Sequence, residues 1–157
     1  VTRYLAESSP EKKAVHSRKG IESLARRPVA PHPAVLFIKV FSDTGTVTTG
    51  DGKFIFACSD DMDGMDLVDA DAYVTTVSSS GTPTIQIRNV TQTADMLSTR
   101  ITIDASEFTS YTAATPPVID TGNDDVAMGD RIAIDVDVAG TGAKGLGVIL
   151  TFEFPNT

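Results

Sequence analysis

From Val35 onward, apolar and polar residues alternate with a period of two, in short runs broken by glycine, proline, serine and asparagine. Side chains of a strand point to opposite faces in turn, so each run has one dry and one wet face. No run carries the 3.6-residue repeat of a helix. This pattern predicts strands at Val35–Phe41, Thr46–Thr49, Lys53–Cys58, Leu67–Val77, Thr84–Val90, Met96–Asp104, Arg131–Val138 and Gly147–Phe154. Gly50-Asp51-Gly52 reads as a turn between two of them, and a further short strand is possible at Phe108–Ala113. Residues 105–129 are the least regular. In Arg131–Val138 the residues Ile132, Ile134, Val136 and Val138 fall inward, with Arg131, Asp135 and Asp137 outward. In Leu67–Val77 the inward set is Val68, Ala70, Ala72 and Val74.

About eight short strands with turn chemistry every 8–12 residues predict two antiparallel sheets packed face to face. The expected fold is all-β, an antiparallel jelly-roll sandwich. An immunoglobulin-like sandwich is the runner-up, but no Cys…Trp…Cys pattern exists in a chain with one cysteine and no tryptophan. The 157 residues allow one such domain and an appendage. The longest apolar run, Ala34 to Ile38, is far short of the about 20 residues of a membrane helix. Val1 to Ser9 is mixed polar sequence without the form of a secretion signal.

The first 34 residues differ from the rest. They hold seven basic residues and three acidic ones, a balance of +4, whereas residues 35–157 hold 6 basic and 18 acidic, a balance of −12. Residues 1–34 therefore read as a basic arm and 35–157 as an acidic body, which repels nucleic acid and anionic membrane. Ser8-Ser9-Pro10-Glu11 has the form of a helix start, leading to a short helix toward Arg27. Pro28, Pro31 and Pro33 then enforce an extended path. Arg3, Lys12, Lys13, Arg18, Lys19, Arg26 and Arg27 supply charge for a partner surface, and Leu5, Val15, Ile21 and Leu24 supply apolar contacts.

Chemical motifs are few. Gly140-Thr-Gly-Ala-Lys-Gly145 matches the dinucleotide fingerprint literally, but it lies between two strands and no helix follows to meet a pyrophosphate. It reads as a hairpin loop. Ser59–Gly64 resembles the start of a calcium loop, but Ser59 and Ala70 stand where that loop needs carboxylates. A looser calcium site from Asp60, Asp61, Asp63 and Asp66 is the weak remaining candidate, and a solvated acidic loop is the plainer reading. Asn123-Asp124-Asp125 has the same weakness. Both histidines, His16 and His32, are in the arm, which leaves the body without an imidazole for a catalytic triad. Cys58 shares a phase with Phe54 and Phe56 and reads as core. No carboxylate pair can be nominated for glycoside hydrolysis. Tyr73 and Tyr111 are candidates for stacking on a sugar, Tyr73 because it falls opposite the apolar face of its strand. Asn89-Val-Thr91 is a formal glycosylation sequon. No cofactor is expected.

Four stretches, Gly81–Gln92 (GTPTIQIRNVTQ), Asp95–Asp104 (DMLSTRITID), Ala113–Asp120 (AATPPVID) and Asp130–Asp137 (DRIAIDVD), followed by Lys144-Gly-Leu146, resemble a domain frequent in tailed-bacteriophage virion proteins. The resemblance spans roughly residues 40–157 and leaves out the arm. It implies a β-sandwich of head decoration, head-fibre or tail-associated proteins, without enzymatic activity, located on a virion assembled in the host cytoplasm. The expected role is a capsid decoration, cement or head-fibre protein. It would be held through the arm to the major capsid protein or another virion protein, and would associate with itself as a homotrimer. The alternative is a carbohydrate- or receptor-binding module of a tail or fibre.

Overall fold

The computed structural model describes residues 32–155. The arm residues from Arg3 to Arg27, His16 and the helix expected there lie outside the described residues. The body, in the unit Pro33–Thr157, is an antiparallel jelly roll. Its strands are β1 (Ala34–Lys39), β2 (Gly50–Ala57), β3 (Met65–Tyr73), β4 (Thr84–Asn89), β5 (Ala94–Asp95) and β6 (Leu97–Thr99). They are followed by β7 (Ile101–Thr102), β8 (Val118–Ile119), β9 (Asp125–Val126), β10 (Arg131–Val138) and β11 (Gly147–Glu153). One sheet has the order β1-β11-β3-β9, the other β2-β10-β4 followed by β5, with β7 also on β4. Strands β1 to β4 alternate between the sheets, as do β9, β10 and β11, and the late strands return beside the first ones, β11 by β1 and β10 by β2, as two Greek keys require.

The core lies between the sheets. Ile38, Leu67, Ala70, Ala72, Val148, Leu150 and Phe152 come from the first sheet, and Ile85, Ile87, Ile132, Ile134 and Val136 from the second. Strict alternation makes this possible: each inward residue of β11 is flanked in register by an inward residue on either side, as Leu150 is by Leu36 and Ala70.

Several expectations are corrected. Thr46–Thr49 is no strand; Thr46 makes an isolated bridge to Lys144 and Val47 donates its N–H to Ala143 O. Gly50-Asp51-Gly52 is no turn. It opens β2 as a bulge, in which residues 51–53 stand opposite Asp135 alone, because Ile134 pairs with Phe54 and Val136 with Gly50. Gly50 and Gly52 hold positive φ (139° and 60°), which the bulge needs. Val68 is an extra residue in β3: Thr151 pairs with Asp69 and Phe152 with Leu67. The bulge turns Val68 out and brings both Leu67 and Ala70 in. Val138 is exposed, since the ladder with β4 shifts at Asp137, and Asp135, expected outward in solvent, is buried.

Met96–Asp104 is interrupted rather than one strand. β5 and β7 pair with β4, while β6 leaves the sheet and pairs with β8. Gln86 bridges the gap: its Nε2 donates to Leu97 O at 3.0 Å and its Oε1 accepts from Ile87 N–H at 2.9 Å. Phe108–Ala113 contains a 3-10 turn, Ser110–Thr112, instead of a strand. Residues 139–146 are a crossing between sheets and no hairpin, because β10 and β11 belong to different sheets.

Candidate functional site

The outer face of the β1-β11-β3-β9 sheet gathers what the body exposes of unusual chemistry. Its rows follow from register. Phe37, Ile149 and Asp71 form one row across β1, β11 and β3; Val35, Thr151 and Asp69 form the next. Glu153, Asp66 and Asp125 form a third across β11, β3 and β9. Phe37 is 75% exposed and Val35 44%. An exposed aromatic on a strand that ends its sheet is a mark of an interaction surface.

Beside this apolar corner lies an acidic stripe. Ser110 Oγ donates to Asp71 Oδ1 at 2.8 Å and accepts from Ala72 N–H at 3.0 Å, which pins the 3-10 turn against β3. The next residue, Tyr111, is 67% exposed. Partial burial, and then the charges of Asp71 and Asp69, hold its hydroxyl above the usual tyrosine range. Asp71 is itself raised, by burial first and by Asp69, against the lowering effect of Ser110. Asp66 is raised by burial, Asp124 and Asp125. Like charges directly opposite one another in a sheet oppose folding. The ion pairs among the described residues are Lys39–Asp43, Arg88–Asp51, Arg88–Asp135 and Arg100–Asp137, and none of them includes a carboxylate of this stripe.

The sequence candidates fall in different places. Tyr111 is on this face. Tyr73 is half-buried, with its ring laid over the Gly147 backbone where a Cβ would otherwise stand, so packing accounts for it. Asp60 and Asp61 lie in the 3-10 turn Asp60–Met62, Asp63 accepts Met128 N–H at 2.9 Å, and Asp66 is on β3. Among the described residues no three His, Cys, Asp or Glu side chains form a metal-holding group, and the four aspartates of the calcium candidate do not converge. Cys58 is buried, and burial, aided by Asp130, pushes its thiol up to about 11, the wrong direction for a nucleophile.

The sequon at Asn89 is structural. Asn89 is fully buried; its Oδ1 accepts the N–H groups of Thr91 and Gln92, and its Nδ2 donates to Asp130 Oδ2 at 2.8 Å. Gln92 Nε2 and Ala127 N–H donate to the same oxygen at 2.8 and 3.1 Å. Among the described residues every buried side-chain nitrogen and oxygen has a partner. Phe37 escaped the sequence reading because Val35–Phe41 is mostly apolar and looks like a core strand, and the charge stripe because its members lie on β3, β9 and β11 and meet only through register. One signal was available: Val35 and Phe37 share parity with Lys39, whose ammonium belongs in water. No family model, no curated protein and no solved structure matches the chain.

Proposed function

We propose that the protein is a non-catalytic virion component of a tailed bacteriophage, a capsid decoration, cement or head-fibre protein that attaches through residues 1–34. The observation that carries this reading is the joining of a jelly roll, a fold recurrent in viral capsid proteins, to a basic, proline-strapped arm on an acidic body. The resemblance of residues 40–157 to virion sandwich domains supports it. The major capsid protein or another virion protein is the particle-side partner, and a homotrimer is the proposed state. Arms that order on binding cover large areas in spite of their entropy cost. The test is cosedimentation with particles stripped of this protein. The full chain is expected to bind, and a chain lacking residues 1–34, checked for folding by circular dichroism, is expected to stay in the supernatant. Equal binding by both overturns the proposal.

A second reading, recognition of a carbohydrate or receptor at a tail or fibre, is favoured by the exposed Tyr111 ring beside Asp69 and Asp71. Glycan-array binding lost on Tyr111→Ala would replace the first reading with this one.

A further inference from the structure

We propose that the outer face of the β1-β11-β3-β9 sheet is the seat of residues 1–31 of a neighbouring copy of this chain. The inference rests on the reading of the arm as the segment that binds other subunits, and it identifies one such subunit as a second copy.

Charge complementarity carries it first. Asp66, Asp69, Asp71, Asp125 and Glu153 share one face, and none is in an ion pair among the described residues. The arm carries seven cations against three anions. Its Lys12-Lys13 and Arg18-Lys19 pairs are spaced so that both can meet a stripe crossing several strands, which lie about 4.8 Å apart. The apolar parts match as well: Val15, Ile21 and Leu24 of the arm would cover Phe37, Val35 and Tyr111.

Chain length and its point of entry argue for a neighbour. Residues 1–31 span up to about 100 Å when extended, several times the width of a four-stranded sheet. The arm joins the body immediately before β1, the strand that bears Val35 and Phe37. Three prolines in six residues at Pro28–Pro33 predict an extended course, which disfavours folding back onto the same copy's face. A neighbour's face needs no reversal. An arm-to-face contact joins unlike surfaces head to tail, and a ring such as the trimer proposed above is its closed form.

The test uses the full chain without particles, with mass measured by light scattering across protein concentration. The wild type is expected to run as an oligomer, and 0.5 M salt is expected to weaken it. Asp66→Lys with Asp69→Lys and Asp71→Lys should raise the concentration of half-association about tenfold or more, as should Lys12→Glu with Lys13→Glu and Lys19→Glu. An equimolar mixture of the two variants should form mixed pairs again, since each restores the other's opposite charge, with one mismatched contact left in any three-membered ring. Should the triple body variant fail to fold, Phe37→Ser, at a side chain already in solvent, gives the same weakening. A wild type that is monomeric throughout overturns the inference, as does a body variant with wild-type association or a mixture that stays dissociated. Particle binding by a monomeric chain would leave attachment through the arm standing and remove this inference with the proposed trimer; association without particle binding would leave this inference and remove the virion role.

Discussion

Asp135 gives the sharpest test of how the body is held together. It stands in the middle of β10, opposite the bulge of β2, and is 4% exposed. Its Oδ1 accepts Gly52 N–H at 2.5 Å and its Oδ2 accepts Arg88 Nε–H at 2.7 Å, with Arg88 Nη2 at 3.4 Å from Oδ1. One carboxylate therefore joins three strands, β2, β10 and β4. Asp135→Ala removes both contacts and leaves the bulge N–H without its acceptor. A hydrogen bond to a charged group is worth about 1.5–3 kcal/mol. Arg88 remains part-exposed, so solvent screens the ion pair and its share is nearer about 1 kcal/mol.

The expected loss for Asp135→Ala is thus about 3 kcal/mol, or roughly 6–12 °C in Tm for a chain of this size. Asp135→Asn keeps an oxygen for Gly52 N–H but sets an NH2 donor against Arg88 Nε–H, so the Arg88 contact goes with the charge, and about half that loss is expected. Urea unfolding, compared at constant m, measures both. If Asp135→Ala costs under about 0.5 kcal/mol, or if Asn is as damaging as Ala, the carboxylate does not hold the bulge and the reasoning fails.

Gly145→Ala should cost about 2–4 kcal/mol by the same assay, since φ is +66° and the new Cβ would lie 2.8 Å from Asp43 O and closer still to Thr75 Oγ1; near-neutral stability would contradict this. Native Cys58 should react with an aromatic disulfide at pH 8 about a hundredfold more slowly than the unfolded chain, because it is buried and its thiol titrates near 11. Burial pushes the Asp130 carboxyl up, but its bonds from Asn89, Ala127 and Gln92 outweigh this and hold it below the usual range. Its folded pKa is depressed, so its stabilising contribution is present above about pH 4 and is lost as pH falls through the folded value. The gap in urea midpoint between wild type and Asp130→Asn should therefore narrow from pH 7 to pH 3; a constant gap would count against it.

Fold class was legible because alternation is a local property. Arg131–Val138 reads directly as β10, and the phase of Ile132, Ile134 and Val136 places them in the core. Alternation fails where a bulge adds a residue, as at Val68 and at residues 51–53, since one extra residue exchanges the two faces. It is also silent on which sheet a strand joins. The glycines before β11 suit a hairpin and a crossing equally well, and only the pairing of β11 with β1 and β3 decides between them. Asp135 escaped for a related reason: its parity is outward, but the partners that bury it come from β2 and β4, 83 and 47 residues away.

The two sheets handle charge in opposite ways, and the contrast separates stability from interaction. On the β2-β10-β4 sheet, Asp135 is matched by Arg88, and Asp137 by Arg100. Removing a partner there exposes a cost within the fold. On the β1-β11-β3-β9 sheet, Asp66 faces Asp125 and Glu153 in register, and among the described residues no cation pairs with them. Folding gains nothing from that row, because like charges in register repel; burial first, and then Asp124 and Asp125, raise the Asp66 carboxyl. A row that opposes folding, on the face where Phe37 lies bare, is intelligible as a surface completed by something cationic and partly apolar. The chain carries such a segment at its own N-terminus.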